Sequence, residues 1–174
     1  YHLSAAGSDS NNGLSPATPW QTIPHLNGAI ADGTVRPGDS VLLRGGDTFQ
    51  GGIEWFGDDS TLWPVTFGRY GQGRPIIRSG AKRGLWYSGP GGLVVRDIDF
   101  IGDASTPLST GLSGIEIVAN VAGARNFFIE DVVLGQWEPD ERNRIMKATA
   151  LKDRTRYGPK NEPIIYVEAE GGSS

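Results

Sequence analysis

Arg36-Pro37-Gly38-Asp39-Ser40-Val41-Leu42-Leu43-Arg44-Gly45-Gly46-Asp47-Thr48-Phe49 is the stretch whose reading decides the fold. A Pro-Gly-Asp turn feeds a short apolar strand at Val41, Leu42 and Leu43. The Gly45-Gly46 pair then turns the chain away, because glycine takes backbone angles closed to other residues. Short strand, tight turn and a change of direction predict the first coil of a stacked solenoid.

The segment just before it predicts a capping helix. Thr22 suits the N-cap, and Pro24 is tolerated in a first turn, where its missing N–H has no partner to lose. Ile23, Leu26, Ala29 and Ile30 recur at spacings of three and four, which makes one apolar face, and Gly33 is placed to end the helix. Such a helix would cover the open end of a solenoid, which otherwise exposes apolar core and unpaired backbone. His25 beside it reads as a surface or capping residue. Further upstream, 1–4 reads as a short strand. Asp9 and Asn11 in the loop that follows read as turn formers, since Gly13 stands where a calcium loop needs a third ligand.

Downstream, short apolar strands separated by Gly, Pro and Asp turns continue to Leu134. Two internal alignments set the period. Residues 94–100 match 128–134 at an offset of 34, and Leu85-Trp86-Tyr87 matches Ile115-Glu116-Ile117 at an offset of 30. Repeats of this length, built from strands and turns, are the sequence sign of a parallel solenoid. The organisation predicted is an N-terminal strand and capping helix at 1–35, coils at 36–135, and an irregular basic segment with a last strand at 136–174.

Composition agrees. The 174 residues include 26 Gly and 11 Pro, with 37% hydrophobic and 21% charged residues, which is the balance of a turn-rich β protein. No apolar run approaches the roughly 18 residues of a membrane span. With no Cys, disulfide stapling and thiolate chemistry are excluded. Residues 142–160 hold seven Lys and Arg against Asp153, so this segment carries +6 and the remainder −10 within the net −4. A basic run of this kind reads either as a solvated segment or as a patch that steers an anionic ligand. It lacks the interleaved aromatics that would suggest nucleic acid.

The opening 1–13, Pro19-Trp20-Gln21-Thr22-Ile23, the stretch from Pro37 to Phe49, and Tyr70-Gly71-Gln72-Gly73-Arg74-Pro75-Ile76-Ile77 together resemble the N-terminal part of secreted pectate-lyase-like proteins. That superfamily includes polysaccharide lyases, epimerases and some glycoside hydrolases, and the resemblance covers about residues 1–135. It implies an all-β, right-handed, single-stranded parallel β-helix. It also implies a secreted protein, extracellular or periplasmic, whose partner is an acidic polysaccharide cleaved by β-elimination. The chain opens on Tyr1 without a leader, as a mature secreted chain would. In such families the catalytic groups sit on middle coils, and four or five coils imply an incomplete set.

Outward residues of neighbouring coils stack about 4.8 Å apart, which suits a saccharide laid across several coils. With Ile98 and Phe100 facing in, Asp97 and Asp99 face out, Asp131 stacks on Asp97 and Glu130 on Arg96. Glu116 faces out between Ile115 and Ile117. Three chemistries fit this surface. In hydrolysis, Asp97 with Asp131 suits retention and Asp97 with Asp99 suits inversion. In elimination, Lys147, Arg125 or Arg96 would serve as basic partner. Calcium would be held by Asp97, Asp99, Glu130 and Asp131. In binding without catalysis, aromatic residues among Trp55, Trp63, Trp86, Tyr87 and Trp137 stack on sugars, and Arg96, Glu116 and Arg144 orient them. The competing structural reading makes Asp97 and Asp131 turn formers, Asp99 and Glu116 solvated outer residues, and Arg96 with Glu130 an ion pair between coils.

Overall fold

The computed structural model describes residues 1–56, 63–102, 114–119 and 125–135, together with the backbone of two later strands at 146–148 and 165–169. It is mostly β, with one helix, α1 (Ile23–Ala31). Three sheets are formed. Sheet I holds β1 (His2–Leu3), β2 (Ser40–Arg44), β5 (Val65–Tyr70), β8 (Gly91–Arg96) and β11 (Arg125–Glu130), in that order. Sheet II runs β3 (Thr48–Gln50), β6 (Ile76–Gly80), β9 (Asp99–Gly102), β12 (Val132–Gly135) and β13 (Met146–Ala148). Sheet III runs β4 (Ile53–Phe56), β7 (Leu85–Ser88), β10 (Ile115–Ala119) and β14 (Ile165–Ala169).

From β2 to β12 the chain visits sheets I, II and III in rotation, and each circuit adds one parallel strand to each sheet. The two internal alignments are the strand registers themselves. Phe128 lies opposite Val94 and Leu134 opposite Phe100, while Ile115 lies opposite Leu85. Strand β13 departs from the rule by pairing antiparallel with β12. The strand at Thr48–Gln50, which carries a single core residue, Phe49, is not among the strands expected from sequence. No helix among the described residues is long and apolar enough to cross a membrane.

Register puts like against like inside. Val41, Phe67, Val95 and Ile129 form one column, Phe49, Ile77, Phe100 and Leu134 a second, and Trp55, Tyr87 and Ile117 a third, all almost wholly buried. Each such side chain contributes roughly 1.5–3 kcal/mol through the apolar surface it removes from water. Trp55 and Tyr87 are therefore core residues and offer no surface to a sugar. The buried Tyr87 hydroxyl donates to the Gly91 carbonyl at 2.5 Å, and burial pushes its pKa up.

The helix follows its sequence signals. Thr22 Oγ1 accepts the His25 N–H, the predicted apolar face is buried, and Gly33 ends the helix at φ 77°. Asp9 anchors this start: its carboxylate accepts the Gln21 and Thr22 amides and the Thr22 hydroxyl, and Asn11 Nδ2 donates to the Pro19 carbonyl. Both residues thus act as the turn formers their loop suggested. The helix packs on β4, the end strand of sheet III.

Candidate functional site

Two places gather the polar residues singled out above. One is the corner between sheets I and II. The chain turns there at Asp97 and again one circuit later at Asp131, both with left-handed φ (59° and 50°). Such angles favour Gly, Asn and Asp, so the turn-forming reading of these two residues is correct for the backbone. Arg74, on the corner before, reaches across. Its Nε bonds Asp99 Oδ1 at 2.6 Å, its Nη1 lies 3.8 Å from Asp97 Oδ1, and its Nη2 donates to the Asp131 carbonyl. Arg69 adds a contact to Asp97 at 3.7 Å. The carboxylates expected to face out together do so, around an arginine.

Calcium requires several oxygens converging on one point. Among the described residues no three His, Asp or Glu side chains converge in that way. The carboxylates of Asp97 and Asp99 lie against the guanidinium groups of Arg69 and Arg74. Glu130 stacks on Arg96 in register, as the alignment predicts. Both are exposed, and no ion pair between them is among those of the described residues. Arg96 instead lies across Gly68, 3.7 Å from where a Cβ would stand.

The second place is the outer face of sheet III. Register lines up Glu54, Trp86 and Glu116 on successive strands. Glu116 corrects an expectation: it points outward, yet it is only 8% exposed and its carboxylate is bonded by Arg83 Nε. The Arg83 guanidinium lies over the Trp86 ring, 5.4 Å from its centroid, an arrangement favoured by the quadrupole of the indole. Phe56 meets Trp86 edge to face at 5.2 Å and stays 54% exposed. Trp86 Nε1 is shielded from solvent and has no hydrogen-bond partner among the described residues. An exposed aromatic ring, a buried carboxylate with its arginine, and the exposed Glu54 therefore share one surface.

Arg74, Arg83, Glu54 and Phe56 were not singled out from sequence for these roles. Their signal is a residue on the preceding circuit, and loops of unequal length hide that pairing. Trp63 is 67% exposed, at the turn that carries Gly38. Trp137 and Arg144 lie outside the described residues, as do the side chains of Arg125 and Lys147 and the basic run at 142–160; of 136–174, the backbone of β13 and β14 is described.

Fold and face together define the class: a parallel-sheet β protein with a polar and aromatic outer surface on one sheet. Two solved structures share this fold, both of GH136 lacto-N-biosidase from Eubacterium ramulus. The selenomethionine derivative matches at a TM-score of 0.61 and 18% identity, over 77% of this chain and 26% of that one. The native protein matches at 0.61 and 16%, over 98% of this chain and 30% of that one. The chain thus spans less than a third of the length of these neighbours. No family model matches it, and no curated protein does.

Proposed function

We propose that the chain is the opening portion of a right-handed, single-stranded parallel β-helix of the pectate-lyase-like kind, in a secreted carbohydrate-active protein, with the outer face of sheet III as its glycan surface. The observation that carries this reading is the grouping of Phe56, Trp86, Arg83 and Glu116 on that face. An exposed ring takes the apolar face of a sugar, and a paired charge beside it orients hydroxyl groups. The fold neighbours, named as glycoside hydrolases, support the same class.

Hydrolysis comes ahead of β-elimination in this reading, reversing the order suggested by the sequence. The basic group on the face, Arg83, is held by Glu116 and is a poor proton acceptor. Glu54 and Glu116 stand two strands apart, about 9.6 Å between backbones, which is closer to the roughly 6.5–9.5 Å between carboxyls of inverting enzymes than to the roughly 5–5.5 Å of retaining ones. In this reading Glu116 would act as the base toward water, and Glu54 would protonate the leaving oxygen.

Incubation with a panel of neutral and acidic glycans separates the possibilities. New reducing ends without unsaturated products support hydrolysis, and unsaturated products from a polyuronate would replace it with elimination. Retention without turnover leaves a binding surface only. No interaction with any glycan sinks the reading.

A further inference from the structure

The helix that packs on β4 also borders a concavity whose lining shares no residue with the face of sheet III. A cleft of about 540 Å³ lies between α1 and the loop at 11–12, lined among others by Asn11, Asn12, Trp20, His25, Gly28 and Asp32. It lies within the range of small-ligand sites. Its floor at Gly28 is open, since a Cβ built there would meet nothing within 4 Å, and Pro24 and Ala29 add apolar lining. Trp20 forms one wall, with the His25 ring set against it at 5.0 Å and 69°.

Among the described hydrogen bonds, the polar groups at its rim retain unused bonding capacity. Asn12 Oδ1 accepts the Leu14 amide and the Thr18 hydroxyl, which fixes its orientation and leaves Nδ2 over. Asn11 Nδ2 is bonded to the Pro19 carbonyl, which leaves Oδ1 over. The described hydrogen bonds use neither ring nitrogen of His25. Asp32 accepts the Thr34 amide through one oxygen. Bonds from Thr34, first its side chain and then its amide, hold that carboxyl below its ordinary range, with a smaller contribution from His25, so it is ionised at neutral pH.

We infer that this cleft binds a small neutral saccharide, one or two rings in size, with the apolar face of a pyranose on the Gly28 floor and its hydroxyls shared among Asn11, Asn12, His25 and Asp32. The rim offers both donors and acceptors, as hydroxyl groups require. No Lys or Arg lines the cleft, and Asp32 repels carboxylates, so uronates are disfavoured. The choice of a saccharide rests in part on the proposed function, but the site is separate from the face of sheet III, and each reading can fail alone.

The test is amide NMR on the full chain, titrated with glucose, galactose, N-acetylglucosamine and lactose, and with glucuronate as control. At least one neutral sugar should give saturable shifts at His25, Gly28 and Asp32. Gly28→Leu fills the floor without lowering Tm, since leucine favours a helix more than glycine does, and it should weaken binding at least tenfold. His25→Ala should weaken it as well, and Phe56→Ala should leave it unchanged. The inference is overturned if no neutral sugar shifts these amides, if glucuronate alone does, or if binding survives Gly28→Leu. Loss of the shifts in Phe56→Ala would overturn it too, as would shifts that follow protein concentration rather than sugar.

Discussion

Asn27, on the capping helix, bonds the backbone at Glu54 as a neighbouring strand would. Its Oδ1 accepts the Glu54 N–H at 3.1 Å, and its Nδ2 donates to the Gly52 carbonyl at 2.9 Å. Strand β4 is the end of sheet III, and an open strand edge is a template for unwanted pairing. One side-chain amide supplies the donor and acceptor that a missing strand would have supplied. Removing it leaves two backbone groups unpaired beneath the helix. Asn27→Ala should therefore lower stability by about 1–3 kcal/mol in urea unfolding, and Asn27→Asp, which keeps only the acceptor, should fall between. An unchanged midpoint in Asn27→Ala would remove the amide from this role.

Asp9 links the N-terminal loop to the helix start. Burial alone would raise its pKa, but the Thr22 hydroxyl and the Gln21 and Thr22 amides outweigh that and hold it below 3.8. A carboxyl depressed in the folded state stabilises fully above its unfolded pKa, and the contribution is lost as pH falls from about 3.8 through the lower folded value. Stability measured from pH 6 down to 2 should fall less steeply below pH 4 in Asp9→Asn than in the parent, and the variant should be less stable at pH 6. Parallel curves below pH 4 would show that Asp9 is not the linked group.

Arg74 joins three successive turns of the chain through Asp99, Asp97 and the Asp131 carbonyl. It is 32% exposed, so solvent screens part of each contact. Arg74→Met should cost about 1–2 kcal/mol, and a double-mutant cycle with Asp99→Asn should give a coupling of at least about 0.5 kcal/mol. Strict additivity would mean that the pair contributes nothing.

Two glycines should respond to alanine with opposite sign. A Cβ on Gly84 would stand 2.6 Å from the Gly114 carbonyl oxygen and 2.8 Å from Phe100 Cδ1, so Gly84→Ala should cost about 1–3 kcal/mol through overpacking. Gly28 has open space and sits in mid-helix, so Gly28→Ala should stabilise by up to about 1 kcal/mol. Thermal unfolding of the two variants reads both, and a common sign would contradict the packing described.

The fold was largely legible because inward residues carry their own signal. Val94–Val95 and Phe128–Ile129 match in apolar character, and the alignment they suggest is the pairing observed. The helix was legible for a similar reason, with cap, proline and apolar spacing in agreement at Thr22, Pro24 and Ile23 to Ile30. The outer contacts were not. Glu116 reads as a solvated residue between two isoleucines, and only the loop before β7 brings Arg83 over it. Asp97 and Asp131 were legible as turn formers, while the arginine that gathers them lies on another circuit. Those contacts depend on loop lengths, and loop lengths carry no periodic signal.

The most direct test of the account is glycan binding by Phe56→Ala against the parent chain, followed by affinity electrophoresis on gels containing neutral and acidic polysaccharides. Phe56 is exposed, so its loss should leave Tm within about 2 °C, as for a surface substitution of under 0.5 kcal/mol. The account predicts that at least one polysaccharide retards the parent and that Phe56→Ala loses most of that retardation. Equal retardation of both chains would contradict a glycan surface on sheet III, and so would free migration of the parent through every gel.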